Sequence, residues 1–173
     1  MTQAIVSLGN PKIISTTKAL AAAGNYDAND VLSESASAGT AWTFSGAALR
    51  NGGFGVITKV VALLETTALT PGITLYLFKA TPTSALNDNV ANTAVLHADA
   101  ANYLGRIDIP ALSNTGAGDS EATVPTPTSG EFHFEYECAA DDTDLYGIAV
   151  TRDAITGETA TDDLIIKLFV RQG

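Results

Sequence analysis

The sequence predicts an all-β protein, an antiparallel β-sandwich with one or two short helical turns. Residues 131–138, EFHFEYEC, alternate apolar and polar side chains without a break, which is typical of a strand with one buried face. Several other runs are rich in β-branched residues, which favour strands. Proline and glycine occur in nearly every gap between these runs, as expected for an antiparallel sandwich.

Nine segments have the composition and length of strands. The last of them, LIIKLFVR at 164–171, alternates clearly, whereas ITLYLF at 73–78 is a continuous apolar run that can only be buried. A helical turn is predicted within 97–105, with Asp99 as its N-cap and Gly105 as its stop. The predicted strands are 12–17, 30–34, 41–44, 54–65, 73–78, 105–109, 131–138, 145–152 and 164–171.

The alternation also predicts which side chains form the core. Glu131, Glu135 and Glu137 are expected to face water, because they share the polar side of their strand. The side chains expected between the two sheets are Val60, Leu75, Leu77, Phe132, Phe134, Tyr136, Ile148, Val150, Ile166 and Leu168.

The gaps between the strands predict how the sandwich is connected. Residues 66–72 and 139–144 have the length of hairpin loops, and 80–104 and 110–130 are long enough to cross between sheets. This pattern predicts a jelly roll or a related Greek-key fold. An immunoglobulin-like sandwich is the competitor, but the Cys and Trp spacing of that fold is missing.

Two regions are expected along the chain. Residues 25–173 are predicted to form a single β-sandwich domain, because no linker divides them. Residues 1–24 are apolar but lack the clean alternation of the later strands. We interpret them as an N-terminal arm or edge segment that contacts neighbouring subunits.

Composition limits the partners of the chain. Its 173 residues include 19 Asp and Glu against 9 Lys and Arg, a net charge of −10 that repels phosphate backbones, so no nucleic-acid partner is expected. No apolar run approaches the roughly 20 residues that span a bilayer, so no membrane partner is expected. The N-terminus lacks the pattern of a signal peptide, which predicts folding in a cytoplasm.

Three polar groups have the residue types of a cation site, and each has a simpler interpretation. Asn87-Asp88-Asn89 supplies one carboxylate where calcium usually takes several, so a turn is favoured. Asp141, Asp142 and Asp144 are better explained as a solvated hairpin turn, and so are Asp162-Asp163 before the last strand.

Catalytic groups are equally sparse. His133 shares a strand face with Glu131 and Glu135, a row suited to acid–base chemistry or pH sensing, but no nucleophile accompanies it. A solvent-facing strand is therefore favoured. His97 is the only other histidine, too few for the metal site of a cupin-type enzyme. NGGFG at 51–55 precedes a strand and not a helix, which indicates a strand entry and not a phosphate loop.

Buried and aromatic residues give no site either. Cys138 is the only cysteine, which excludes a disulfide within the chain and a cysteine-rich zinc site, and it is predicted to be a small core residue. Aromatic side chains that could stack on a sugar are more often core; they are Tyr26, Trp42, Phe44 and Tyr103. We predict no catalytic, cofactor-binding or metal-binding residue and no cofactor.

From about residue 25 onward the chain resembles small structural proteins of tailed-bacteriophage heads, of the capsid decoration (cement) type. The resemblance is carried by LYLFKATPT and NDN within 75–89, LG at 104–105 and LYGIAVTR at 145–152. It implies a jelly-roll virion protein, not an enzyme, that binds the major capsid protein on the outer surface of the phage head and stabilises the shell. Capsid geometry adds the expectation of a homotrimer, and assembly is expected in the host cytoplasm.

Two other functions were considered. A carbohydrate-binding β-sandwich module of a phage tail or fibre predicts exposed aromatic side chains in the loops, with Trp42 as the first candidate. A jelly-roll enzyme of the cupin type predicts clustered histidines, which the sequence does not supply.

Overall fold

Two antiparallel β-sheets pack face to face around one main core. The computed structural model describes residues 9–21, 24–66, 69–116, 118–125, 131–157 and 162–173. The strands are β1 Asn10–Ala19, β2 Val31–Leu32, β3 Trp42–Phe44, β4 Phe54–Leu64, β5 Ile73–Phe78, β6 Tyr103–Ile109, β7 Ser113–Asn114, β8 Ser120–Val124, β9 Phe134–Glu137, β10 Leu145–Thr151 and β11 Asp163–Gln172.

The strand order is that of a jelly roll. The first sheet runs β1-β11-β4-β8-β7, with β9 also beside β4; the second runs β2-β10-β5-β6, with β3 also beside β10. The pairs are nested: β1 with β11, β2 and β3 with β10, β4 with β8 and β9, and β5 with β6. Successive pairs alternate between the sheets, as in a long hairpin rolled into a sandwich. The predicted fold class is confirmed.

Three of the four predicted connections are wrong. The short gaps 66–72 and 139–144 join strands of opposite sheets and are therefore not hairpins. The long gap 80–104 joins β5 to β6, which are neighbours in one sheet. Only 110–130 leads from one sheet to the other as expected. In a jelly roll, consecutive strands generally lie in different sheets. The length of a loop therefore does not indicate whether it joins neighbouring strands or crosses between the sheets.

All nine predicted strands are present, and two were missed. β7 and β8 lie inside 110–130, where serine, glycine and threonine hide the strand pattern. The helical turn is a 3₁₀ helix at His97–Asp99, so Asp99 is its last residue and not its N-cap. Gly105 lies within β6 and stops no helix.

The register of β9 is confirmed, and so is most of the predicted core. Ile148 and Val150 are buried, but on the outer face of the second sheet and not between the sheets as predicted, because β10 is apolar on both sides. Glu131, Glu135 and Glu137 are exposed, and Phe132 and Phe134 are half-buried against the core. The other eight predicted core side chains are buried. Such burial contributes roughly 1.5–3 kcal/mol for each large apolar side chain.

The first described segment is an edge strand. β1 pairs with β11 over its whole length, and the buried Lys18 donates to Glu34 and Thr40 on the opposite layer. Burial lowers the pKa of Lys18. Burial opposes ionisation of Glu34 too, but hydrogen bonds led by Lys18 lower its pKa to about 2.

Residues 1–8, 22 and 23 lie outside the described residues, so a contact between residues 1–24 and another subunit stays a prediction.

Candidate functional site

The outer face of the second sheet is covered by the chain's own loop. Residues 79–102, between β5 and β6, pack over this face and form a second apolar cluster. Its fully buried members are Val31, Phe78, Ile148 and Val150. Tyr103 packs on them with its ring 5.4 Å from that of Phe78. These side chains alternate with core side chains along the same strands, so the second sheet is buried on both sides.

Two buried carboxylates fasten this loop. Asp99 accepts four hydrogen bonds of 2.7–2.9 Å from the backbone N–H and hydroxyl groups of Thr83 and Ser84. Burial works to raise the pKa of Asp99, but these donors outweigh it and hold that pKa below the usual range. Asp88 accepts from Ser33 N and Tyr26 Oη, each at 2.7 Å. Here burial dominates and raises the pKa of Asp88 to about 6.

The outer face of the first sheet also carries apolar side chains, and none of the described residues covers it. Ile13 of β1 lies opposite Phe169 of β11, and Ile13 and Phe54 are each 59% exposed. The cross-strand register places seven apolar side chains on this side, away from the core. This outer apolar face consists of Ile13, Phe54, Val56, Val61, Leu63, Ile165 and Phe169.

Charged side chains are ordered across the same face. The middle strands carry cations, at Lys59 on β4 and at Lys167 and Arg171 on β11. Lys59 Nζ lies 3.8 Å from the centre of the Phe169 ring. Carboxylates lie along the side formed by β8 and β9; we call Glu121, Glu135 and Glu137 the acidic margin. The face thus combines apolar area with separated charges of both signs.

A groove opens at one end of this face, where β4 begins and β11 ends. Its volume is about 880 Å³, and its lining includes Phe54, Val56, Phe132, His133 and Arg171. The walls are mainly apolar, so the groove suits an apolar segment of a protein better than a charged small molecule. It continues the outer apolar face and is part of the same candidate surface.

Of the three predicted polar turns, only 87–89 is a turn of the predicted kind. Asp141, Asp142 and Asp144 lie in a segment that joins opposite sheets and is not a hairpin, and Asp163 is the first residue of β11. Asn89 has a positive φ of 54°, in keeping with the predicted turn at 87–89, yet Asp88 in that turn is buried. Asp142 accepts from Thr143 N and Tyr146 Oη, and Asp144 from Gly46 N, so this segment is a structured crossing. Asp142 and burial together raise the pKa of Tyr146 to about 12.

The remaining candidates do not form a site. His133 is exposed, and its Nε2 lies 4.0 Å from Glu135 Oε1. Cys138 is buried, and burial raises the pKa of its thiol to about 11, which makes it unreactive. Trp42, Phe44 and Tyr26 are core residues, so none can stack on a sugar, while Tyr103 is half-buried.

NGGFG forms the predicted strand entry. Gly55 lies so close to Tyr136 that a Cβ there would be 2.4 Å from the phenol oxygen. Within the part of the chain that the structure describes, no three His, Cys, Asp or Glu side chains are placed to hold a metal ion. The same residues include no helix long and apolar enough to cross a bilayer.

Sequence reasoning missed the outer apolar face as a site. Its signal was present, because VITKVVALL and LIIKLFV are apolar on both sides of their strands. The buried roles of Asp88 and Asp99 had no such signal, since each stands in an ordinary polar loop sequence.

No family model matches the chain, and no curated protein matches it. The chain is similar to a chain in the cryoEM structure of mud crab dicistrovirus, with 13% identity over 94% of this chain and 67% of that one and a TM-score of 0.30. It is also similar to the structure of infectious bursal disease virus Gx strain, with 16% identity over 95% of this chain and 42% of that one and a TM-score of 0.17. Both are structures of viruses, but TM-scores this low carry no argument about function.

Proposed function

We propose that this protein is a non-enzymatic structural protein of a virion, a decoration (cement) protein of a phage head. It binds the major capsid protein on the outer surface of the shell, as a homotrimer, and stabilises the shell. The observation that carries the proposal is the outer apolar face, a broad sheet surface that the described part of the chain leaves uncovered. Open apolar surfaces of this kind mark sites of protein association.

The architecture suits attachment better than catalysis. A jelly roll buried on both sides of its second sheet is rigid, and rigidity lets one open face bind without first becoming ordered. Catalysis would need a pocket with converging reactive groups. In the described residues, the groove has a mainly apolar lining, and its polar side chains are Thr58, Glu131, His133, Arg171 and Gln172.

The first 24 residues belong to the same proposal. The described part, β1, puts its outward side chains on the outer apolar face at an edge of the first sheet. Gly9, which precedes β1, lines the groove at the end of this face. Contacts of residues 1–24 with neighbouring subunits or the shell follow from this position.

The test is binding to isolated phage heads that lack their decoration protein. The purified chain is mixed with such heads, and bound protein is counted after sedimentation while the heads' thermal stability is followed by fluorescence of released DNA. Saturable binding with later DNA release is the expected result. No binding to heads, together with binding to tails or to glycans on an array, would replace this function with the carbohydrate-binding alternative.

A further inference from the structure

We infer that the outer apolar face binds a second copy of this chain, with the acidic margin of one copy against the basic middle strands of the next. The inference rests on the proposed function and deepens it by naming the partner of this face. The partner follows from three features of the described residues: burial, charge order and net charge.

The exposure of its side chains shows that the outer apolar face is only partly shielded from water in a single copy. On the second sheet, outward apolar side chains such as Phe78 and Ile148 are covered by loop 79–102 and are almost fully buried. On the first sheet the outward apolar side chains are partly exposed, and Ile13 and Phe54 are more than half exposed. A surface of this composition is stabilised when another protein surface covers it.

The charge order favours a second copy as that other surface. Arg171 and Glu135 lie on either side of Val56, two strand spacings or about 10 Å apart. Among the described residues no ion pair joins the basic middle strands to the acidic margin. A neighbouring copy displaced across the face would place its acidic margin over these cations.

Net charge restricts which faces of two copies can meet. Each copy carries −10, so most of its surface repels most of another copy. Lys59, Lys167 and Arg171 are three of the nine Lys and Arg in the chain, and all three lie on this face. Carboxylates surround them, with Glu65 and Asp163 at the far end in addition to the acidic margin. The face therefore carries both signs of charge side by side, so that a displaced contact between copies can pair its cations with carboxylates.

A margin-against-middle contact that is reciprocal gives a two-fold dimer, and one in which each copy turns its margin to one neighbour and its middle strands to another is heterologous. Such contacts close into a ring when the rotation between copies permits. Each copy in a ring gives its acidic margin to one neighbour and its middle strands to the other. The arrangement is compatible with the proposed homotrimer.

The first test compares two substitutions at equally exposed apolar residues. Ile13 is 59% exposed on the face, and Leu49 is 58% exposed outside it. The molar mass of wild type, Ile13→Glu and Leu49→Glu is measured by light scattering after gel filtration, and a thermal unfolding curve checks that each variant is folded. Wild type and Leu49→Glu are expected at a multiple of 17.8 kDa, and Ile13→Glu at 17.8 kDa. A monomeric wild type, or equal masses for the two folded variants, would overturn the inference.

The second test reverses the charges. Lys167→Glu with Arg171→Glu, and separately Glu135→Lys with Glu137→Lys, are each expected to raise the dissociation constant at least about tenfold. Combining all four substitutions restores opposite charges between neighbours and should recover most of that loss. A combined variant that dissociates as readily as either parent contradicts the proposed pairing, even if each parent is folded.

Binding to phage heads separates this inference from the function on which it rests. A wild type that is monomeric in solution but binds heads would overturn the contact between copies and leave the decoration function standing. An oligomer that Ile13→Glu dissociates, but that binds no head, would do the reverse.

Discussion

The two sheets of this jelly roll differ in how their outer faces are completed. Both carry large apolar side chains on the side away from the core, such as Phe78 on the second sheet and Phe169 on the first. Loop 79–102 covers the second face within the chain, and nothing in the described residues covers the first. An apolar outer face therefore indicates that another protein segment packs against it. The structure shows whether that segment belongs to the same chain.

The difference also separates two kinds of stabilisation. The covered face contributes to the folding free energy of a single copy, because its side chains leave water when the chain folds. The open face contributes to association, because its side chains leave water only when a partner arrives. Substitutions on the two faces should consequently change different measurements.

The largest expected effect comes from truncating matched phenylalanines. Phe78→Ala removes a fully buried ring beneath the loop and should cost about 3–5 kcal/mol of unfolding free energy. Phe169→Ala removes a partly exposed ring and should cost about 1 kcal/mol in a dilute sample. Urea unfolding followed by circular dichroism measures both. Equal losses would show that the two faces are completed in the same way and would break the comparison.

A smaller effect is expected from Asp88, which fastens the covering loop. Its folded pKa of about 6 lies above the ordinary value of 3.8, so its protonated form is favoured in the fold. The stability that it contributes is therefore present at low pH and is lost as pH rises through about 6. Asp88→Asn, which keeps the shape without the charge, should be more stable than wild type by about 1–2 kcal/mol at pH 8.

The same substitution should make little difference at pH 4, where Asp88 is protonated in the wild type. Thermal unfolding of both proteins across this pH range measures the difference, with exposed Asp119→Asn as the control. An Asp88→Asn variant that is less stable than wild type at pH 8 would show that the charged form is the favoured one. In that case the ionised carboxylate of Asp88 holds the loop through charge-assisted hydrogen bonds at neutral pH.

Period-two alternation predicted much of this fold from the sequence. EFHFEYEC gave the register of β9, and Tyr136, Ile166 and Leu168 lie in the core as expected. The connections were not predictable from gap length, because the nested pairing of a jelly roll sends short loops across the sandwich. The long loop 79–102 joins two neighbouring strands of one sheet, and its length allows it to pack across the outer face of that sheet.

The candidate site could be predicted only in part, for a physical reason. LYLF of β5 and LIIKLFV of β11 are both apolar on two sides, and nothing local distinguishes the run that a loop will cover from the run left open. That distinction depends on where residues 79–102 pack, which is a long-range property. Trp42 shows the opposite case: a residue considered for sugar stacking is buried, with its Nε1 donating to the Leu32 carbonyl at 2.9 Å.

The most direct measurement of the central claim is hydroxyl-radical footprinting with mass spectrometry, on the chain diluted until it is monomeric and on the assembled virion. The claim is that the outer apolar face is open in one copy and covered in the assembly. Oxidation of Ile13, Phe54 and Phe169 should fall on assembly, while Leu49, exposed to the same extent but outside the face, should keep its rate. Unchanged oxidation of the three face residues in the assembled particle would contradict the account.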